Sequence, residues 1–175
     1  MRIILDAGTE LDEAEKVVVP EVPGLFQGAA DCDAVLVSHY HQDHTGLLNN
    51  VLDGIPIYMT RKMFLIHTGI SKRIGKKITY HPVIIDAEGQ NLDGSYSFQV
   101  KDIRITPFLC DHSAYDSYMY LLETSDDSIL YTGDFRSNGR MNFDDLLNRL
   151  PEHVNRLICE GTTLSRNTNQ ELKII

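Results

Sequence analysis

The most constraining feature of the chain is a polar segment that directly follows a short apolar strand. The strand is Ala34-Val35-Leu36-Val37, a partly β-branched run of the kind that lies buried in a sheet. The polar segment, Ser38-His39-Tyr40-His41-Gln42-Asp43-His44-Thr45-Gly46, contains four good metal ligands within six residues. Because a buried strand gives its final residues a rigid base, the sequence predicts a metal site at this strand end.

The ligand types in this segment restrict the choice of metal. Histidine and carboxylate together suit zinc, manganese or iron(II), whereas oxygen ligands alone suit calcium or magnesium. His39 and His41 alternate along an extended backbone and can converge on one ion. Asp43 and His44 lie where the chain turns and can reach another. We therefore expect two divalent metal ions, with zinc favoured and manganese or iron as alternatives.

Three later apolar runs also end in a potential ligand. They begin near residues 105, 128 and 156, and they end at His112, Asp134 and Glu160. Taken singly, His112 suits a core or loop histidine and Asp134 a turn or N-cap aspartate, while the threonines after Glu160 suit a helix N-cap. The repetition of the pattern favours a shared site instead.

In this order, the candidate ligands resemble the pattern of the metallo-β-lactamase-fold hydrolase superfamily. The resemblance runs from residue 1 to about residue 166, and Ile4-Leu5-Asp6-Ala7-Gly8 is similar to the family's opening strand with its supporting aspartate. It implies an α+β fold, the four-layer αββα sandwich. It also implies that one metal is held by His39, His41 and His112, that the other is held by Asp43 and His44, and that Asp134 bridges both.

Two segments are similar to one branch of this superfamily, the β-CASP and ribonuclease J-like RNA-processing proteins. They are Tyr131-Thr132-Gly133-Asp134-Phe135-Arg136 and Cys159-Glu160-Gly161-Thr162-Thr163. In that branch an acid at the position of Glu160 marks the end of the catalytic core and the start of an inserted cap. The resemblance implies catalytic roles for Asp43, Asp134 and Glu160. Asp6 is expected to accept a ligand N–H and so to fix its tautomer.

The chain departs from the superfamily pattern at its end. Members usually offer the second metal another histidine from further along, but no histidine occurs in the fifteen residues after Glu160. His153 is expected to be a loop histidine without a metal role. We therefore expect an incomplete, N-terminal portion of the fold, in which residues 1–166 are part of the catalytic domain, residues 167–175 are a polar tail, and the seventh ligand is missing.

Composition narrows the class of protein. A chain of 175 residues is one domain by length. No apolar run approaches the ~20 residues of a membrane span, and the first residues lack a signal-peptide pattern. The three cysteines are widely spaced, which fits neither a structural zinc site nor a disulfide set. We expect a cytoplasmic protein without membrane association, and the sequence carries no signal for its oligomeric state.

Net charge bears on the substrate. At −9 the chain is not an obvious polyanion binder, because lysine and arginine supply most non-specific affinity for nucleic acid. The basic residues are nevertheless concentrated, with six of sixteen at Arg61, Lys62, Lys72, Arg73, Lys76 and Lys77. Such a patch can steer a phosphate backbone, although a solvated helix face is the alternative explanation.

These patterns together predict a metal-dependent hydrolase. The leading form is a phosphodiesterase or ribonuclease-like enzyme that uses a metal-bound hydroxide on RNA or another phosphodiester. One alternative is a thioester or lactone hydrolase of the glyoxalase II kind. The other is a non-catalytic, metal-binding regulatory domain.

Periodicity and turn residues predict an alternation of strands and helices. Strands are expected at 2–6, 34–38, 56–59, 78–85, 95–100, 102–109, 117–123, 128–132 and 155–160. Helices are expected at 45–50, 61–69 and 144–150, the last of which ends before Pro151.

Overall fold

A computed structural model describes residues 1–10 and 17–161 of the chain. The predicted polar tail at 167–175, the end of the predicted domain at 162–166 and the threonines after Gly161 lie outside the described residues. Two sheets form the centre of this part of the chain. The strands are β1 (Ile3–Leu5), β2 (Ala34–Leu36), β3 (Ile57–Met59), β4 (Val83–Ile84), β5 (Phe98–Val100), β6 (Ile103–Cys110), β7 (Ser117–Glu123), β8 (Ser128–Tyr131) and β9 (Arg156–Ile158). The helices are α1 (Gln42–Thr45), α2 (Arg61–Arg73), α3 (Phe143–Leu147) and a 3-10 turn at Leu48–Asn50.

The first sheet contains β1 to β4 in sequence order, and its neighbouring strands are all parallel. Because parallel strands point the same way, the loops that follow β1 and β2 leave the sheet at one edge. Strand β2 is buried along its whole length, as expected for a strand covered on both faces.

The second sheet contains β5 to β9 in sequence order. Its pairs are antiparallel from β5 through β8, and β9 runs parallel to β8. Strands β6, β8 and β9 therefore point in one direction, and their carboxyl ends share an edge. This topology explains why three distant segments deliver side chains to one place.

Strand β7 separates the two apolar clusters of the core. Tyr118, Tyr120 and Leu122 face a large cluster that includes the buried residues of the first sheet. Met119 and Leu121 alternate with them and face a smaller cluster that contains Leu146 of α3. Full burial of such a side chain contributes about 1.5–3 kcal/mol. The alternation therefore ties the second sheet to the first sheet on one face and to α3 on the other.

Helix α2 completes the layered arrangement. The Thr60 hydroxyl accepts a hydrogen bond from the Met63 N–H at 3.1 Å and so caps the helix start. Met63 and Phe64 pack into the large cluster. The helices and two sheets form the α+β, four-layer sandwich that the superfamily resemblance implies. Within the described residues, no helix is both long and apolar enough to cross a membrane.

Most predicted elements are observed with bounds shifted by up to three residues, and three differ more. The predicted strand at 78–85 is reduced to Val83–Ile84, because the Asn49 side chain binds the Lys77 carbonyl and the Thr79 N–H in place of a neighbouring strand. Helix α2 continues past its predicted end to Arg73, and Gly75 follows with a φ of 74°. The predicted helix at 45–50 is instead α1 followed by the 3-10 turn.

Candidate metal centre

The two sheet edges that carry the candidate ligands are joined by hydrogen bonds. The Tyr118 N–H at the start of β7 donates to the Ser38 carbonyl at 2.9 Å. The buried Tyr120 hydroxyl donates to the Val37 carbonyl at 2.8 Å. The loop after β2 is therefore fixed against the second sheet.

The segment after β1 lies directly on the histidine-rich loop. The Ala7 N–H donates to the His44 carbonyl at 2.9 Å, and the Leu47 N–H donates to the Ala7 carbonyl at 2.9 Å. Gly8 is required at the crossing, since a Cβ atom there would lie 1.6 Å from the Asp43 carbonyl oxygen. Glycine thus permits the backbone contact that holds the loop in place.

Three histidine side chains form the first group of candidate ligands. One ring nitrogen from each of His39, His41 and His112 lies within 4.8 Å of the others. His112 Nε2 lies 3.3 Å from His41 Nδ1, although these residues are 71 positions apart. Such spacing lets three nitrogens surround a single cation.

A second group shares His39 with the first. Ligand atoms of His39, His44 and Asp134 also lie within 4.8 Å of one another. His44 Nε2 is 3.5 Å from Asp134 Oδ1 and 3.6 Å from Asp43 Oδ2. His112 Nε2 lies 3.7 Å from the other Asp134 oxygen, Oδ2. The Asp134 carboxylate therefore lies between the two groups, while Asp43 borders the second.

Asp6 and Ser38 orient two of these histidine rings. Asp6 Oδ2 pairs with His44 Nδ1 at 2.6 Å and accepts hydrogen bonds from the Ser38 hydroxyl at 2.6 Å and the Tyr131 hydroxyl at 2.5 Å. The Ser38 hydroxyl also contacts His39 Nδ1 at 3.0 Å. These contacts occupy the Nδ1 atoms and leave Nε2 of both rings facing the centre.

His39 provides the test of whether a cation fits this site. Its Nε2 is buried and lacks a hydrogen-bond partner, and no other buried side-chain nitrogen or oxygen in residues 1–10 and 17–161 is in that state. An unsatisfied buried polar atom costs about 1–3 kcal/mol. A divalent metal ion would supply the missing partner, so the donor set fits such an ion.

The protonation states of the histidines divide them into two types. Burial, together with the neighbouring histidines, lowers the pKa of His39 to about 2. Burial likewise lowers the pKa of His41 and of His112. Burial acts the same way on His44, but the Asp134 and Asp6 carboxylates outweigh it and raise the pKa of His44 to about 10. Burial therefore favours the neutral form of the first three rings, the form that can bind a metal, whereas the two carboxylates favour the protonated form of His44.

Two side chains, those of Cys110 and Glu160, contact the backbone of the loop that carries Asp134. The Cys110 thiol contacts the Asp134 carbonyl at 3.9 Å, and burial raises the pKa of this thiol to about 12. Glu160 Oε1 accepts a hydrogen bond from the Phe135 N–H at 2.7 Å. Gly133 precedes Asp134 with a φ of 51°, where a Cβ atom would lie 2.7 Å from Ser38 Cβ. These contacts fix the backbone that carries the Asp134 side chain.

Asp111 is a structural residue that the sequence analysis did not single out. It is buried, its Oδ1 accepts from Arg136 Nε at 3.0 Å, and its Oδ2 accepts from the Met141 N–H at 2.7 Å. Burial opposes ionisation of Asp111, but the Met141 N–H and the Arg136 guanidinium outweigh it and lower the pKa of the carboxyl. A carboxylate next to a candidate ligand was its only sequence signal.

The structure therefore brings together most of the residues singled out from the sequence. The side chains that converge are His39, His41, Asp43, His44, His112 and Asp134. Glu160 lies behind the Asp134 loop, and His153 is exposed in the loop before β9. The assignment of these residues as ligands or catalytic groups stays a prediction.

Comparison with known proteins gives both a family and a fold. A family model described as a beta-lactamase superfamily domain matches residues 1–170. A crystal structure of a protein of unknown function from Enterococcus faecalis V583 has a TM-score of 0.76 and 25% sequence identity, and the match covers 97% of this chain and 46% of that one. The predicted superfamily and fold class are thus confirmed.

Curated relatives point to the same branch as the sequence motifs. Ribonuclease J 2 of Staphylococcus epidermidis strain ATCC 12228 is 28% identical over 141 residues, which are 76% of this chain and 24% of that protein. Ribonuclease J 2 of Staphylococcus aureus strain MRSA252 matches with the same identity and coverage. The predicted resemblance to ribonuclease J-like proteins is confirmed. The chain spans about a quarter of the length of these relatives.

Proposed function

The chain belongs to the beta-lactamase superfamily, and from this premise we propose that it is a metal-dependent hydrolase that cleaves phosphodiester bonds in RNA. The observation that carries the proposal is the convergence of His39, His112 and Asp134 from separate strand ends, with the partnerless His39 Nε2 at their centre. Family and fold support the hydrolase class, and the similarity to ribonuclease J 2 supports the RNA substrate.

We assign the ligands as the superfamily resemblance implies. His39, His41 and His112 would hold one divalent metal ion, Asp43 and His44 would hold the other, and Asp134 would serve both. Zinc is the favoured ion, with manganese or iron as alternatives. When bound, such ions supply Lewis acidity, which makes water nucleophilic near neutral pH and stabilises negative charge on a phosphoryl oxygen.

The protein residues contribute orientation and charge. Asp6 fixes the ring of His44, and Ser38 fixes the ring of His39. Both Nε2 atoms are therefore held in one orientation before a metal binds. Asp43, which is partly exposed beside His44, would both coordinate the metal and orient the attacking water. Glu160 supports the chemistry by holding the backbone that follows Asp134.

An activity assay with three substrates tests this proposal. We expect the purified protein, supplied with zinc or manganese, to hydrolyse bis(p-nitrophenyl) phosphate and RNA but not an acyl thioester. The His39→Ala/His41→Ala variant should lose this activity. Hydrolysis of the thioester alone would favour the glyoxalase II alternative, and metal binding without any turnover would favour the regulatory domain.

A further inference from the structure

Lys62, Tyr115 and Arg140 form a cationic and aromatic group beside the metal centre, here called the Tyr115 cluster. Lys62 Nζ and Arg140 Cζ each lie 5.8 Å from the centroid of the Tyr115 ring. The ring is 50% exposed and the Arg140 side chain is 59% exposed. All three side chains line one pocket of about 330 Å³, within the range of ligand-binding pockets.

The Tyr115 cluster is connected to candidate metal ligands at two points. The Tyr115 N–H donates to the Tyr40 hydroxyl at 2.9 Å, and the Tyr40 ring packs edge-on against His41 at 5.5 Å between centroids. On the other side, Arg140 Nη2 donates to the His112 carbonyl at 3.1 Å. The cluster therefore has a fixed position relative to the proposed reaction centre.

The two cations of the cluster are available to an anionic ligand. Arg140 Nη2 lies 3.9 Å from Asp111 Oδ1, but that oxygen is already bound by Arg136 Nη2 at 3.0 Å. Lys62 makes no ion pair with any acid in the described part of the chain. The acids that line the same pocket, Asp86, Asp111 and Asp116, accept hydrogen bonds from other residues, so the Lys62 and Arg140 cations stay exposed beside the metal centre.

We propose that the Tyr115 cluster binds the single-stranded segment of a polynucleotide next to the phosphate that is cleaved, a proposal that rests on the function proposed above. A base stacks on Tyr115, and the flanking phosphates contact Lys62 and Arg140. Stacking with adjacent cations is how proteins hold single strands without reading their sequence. A duplex is disfavoured because its base faces are covered by neighbouring pairs.

Binding and turnover can be measured separately. A short fluorescein-labelled oligouridylate is titrated with the full chain in EDTA, and fluorescence anisotropy is followed over a range of salt concentrations. We expect Tyr115→Ala to weaken binding about tenfold and Tyr115→Phe to retain it, because the phenyl ring still stacks. Lys62→Ala and Arg140→Ala should each reduce the slope of log affinity against log salt by about 0.7.

Matched controls lie at the opposite end of the second sheet, outside the basic patch. Lys101→Ala, before β6, and Arg156→Ala, at the start of β9, remove the same types of charge and should leave the affinity within twofold of the wild-type value. Equal losses in these controls would overturn the proposal, since binding would then depend on overall charge. Wild-type affinity in all three alanine variants of the cluster, or tighter binding of a duplex of equal length, would also overturn it.

Failure of this proposal is distinguishable from failure of the proposed function. If the wild-type protein hydrolyses RNA with added metal but the alanine variants of the cluster bind the oligouridylate as the wild type does, only the proposed binding position of the nucleic acid is wrong. If the oligouridylate binds at the Tyr115 cluster but no phosphodiester is hydrolysed with any metal, the cluster stands and the enzymatic function fails.

Discussion

Asp6 holds His44 by a contact of 2.6 Å between Oδ2 and Nδ1, and this contact directs Nε2 of the same ring towards Asp134. Asp6 follows β1 and His44 lies in α1, so the contact joins two strand ends of the first sheet. Asp6 has a φ of 60°, a conformation that most residues avoid. The backbone geometry and the four side-chain and backbone donors to this carboxylate indicate a residue fixed for positioning.

We therefore expect Asp6→Asn to weaken metal binding about 10- to 100-fold, the usual effect of removing a carboxylate behind a ligand histidine. The amide keeps an oxygen for the Ser38 N–H but removes the negative charge that orients His44. Metal affinity is measured by competition with a chromogenic chelator. Asp31→Asn, at an exposed position, is the control and should bind as the wild type does. Unchanged affinity in Asp6→Asn would contradict the positioning role.

Proton release should accompany metal binding. Without metal, His44 has a pKa of about 10 and is protonated at pH 8, whereas His39, with a pKa of about 2, is already neutral. Ligation through Nε2 therefore expels the His44 proton, and this release disappears as the pH rises through 10. Calorimetry at pH 8 in buffers of different ionisation enthalpy should give about one more released proton for the wild type than for His44→Gln. Equal release by both proteins would show that His44 does not bind the metal as a neutral ligand.

Two variants of Glu160 distinguish a role of its negative charge from a role of its hydrogen bond to the Phe135 N–H. Its Oε1 accepts from the Phe135 N–H, and a glutamine oxygen can accept the same bond. If Glu160 acts by holding the Asp134 loop, Glu160→Gln should retain most of the kcat of phosphodiester hydrolysis, while Glu160→Ala should lose about tenfold or more. An equal and large loss in both variants would instead indicate that the carboxylate charge itself takes part in catalysis.

The convergence of the candidate ligands could largely be predicted from the sequence because these residues lie at strand ends. An apolar run followed by His39, His112 or Asp134 is a local pattern, and each run forms the expected strand. This pattern does not predict the direction in which each strand runs within its sheet. The shared edge arises because β6 and β8 are both antiparallel to β7, a pairing that depends on long-range packing.

Other features were out of reach of sequence patterns for a different reason. Asp111 directly precedes His112, and Tyr115 follows it by three residues. Asp111 is buried against Arg136, whereas Tyr115 is exposed beside Lys62. Neither environment follows from neighbouring residues, because both partners come from separate elements. The shortened strand at Val83–Ile84 has the same origin, since the Asn49 side chain replaces a strand partner.

The junction of the two sheets can be tested through stability. Tyr120 is fully buried and its hydroxyl donates to the Val37 carbonyl at 2.8 Å. Tyr120→Phe keeps the ring but leaves that carbonyl without this donor, so we expect a loss of about 1–2 kcal/mol in the free energy of unfolding. Urea denaturation measures this change. Tyr115→Phe, at an exposed ring, is the matched control and should change the free energy by less than about 0.5 kcal/mol. A cost no larger than that of the control would show that the bond does not hold the sheets together.

Metal analysis of the purified protein shows whether the convergent histidines and Asp134 bind divalent metal ions. Protein loaded with zinc and then desalted should retain zinc by elemental mass spectrometry, and the His39→Ala/His41→Ala variant should lose most of it. The separate variant Asp134→Ala should lose part of its zinc, because the Asp134 carboxylate lies between the two groups of candidate ligands. A wild-type protein that retains no zinc, manganese or iron, or a double variant that retains as much as the wild type, would exclude metal binding by these histidines.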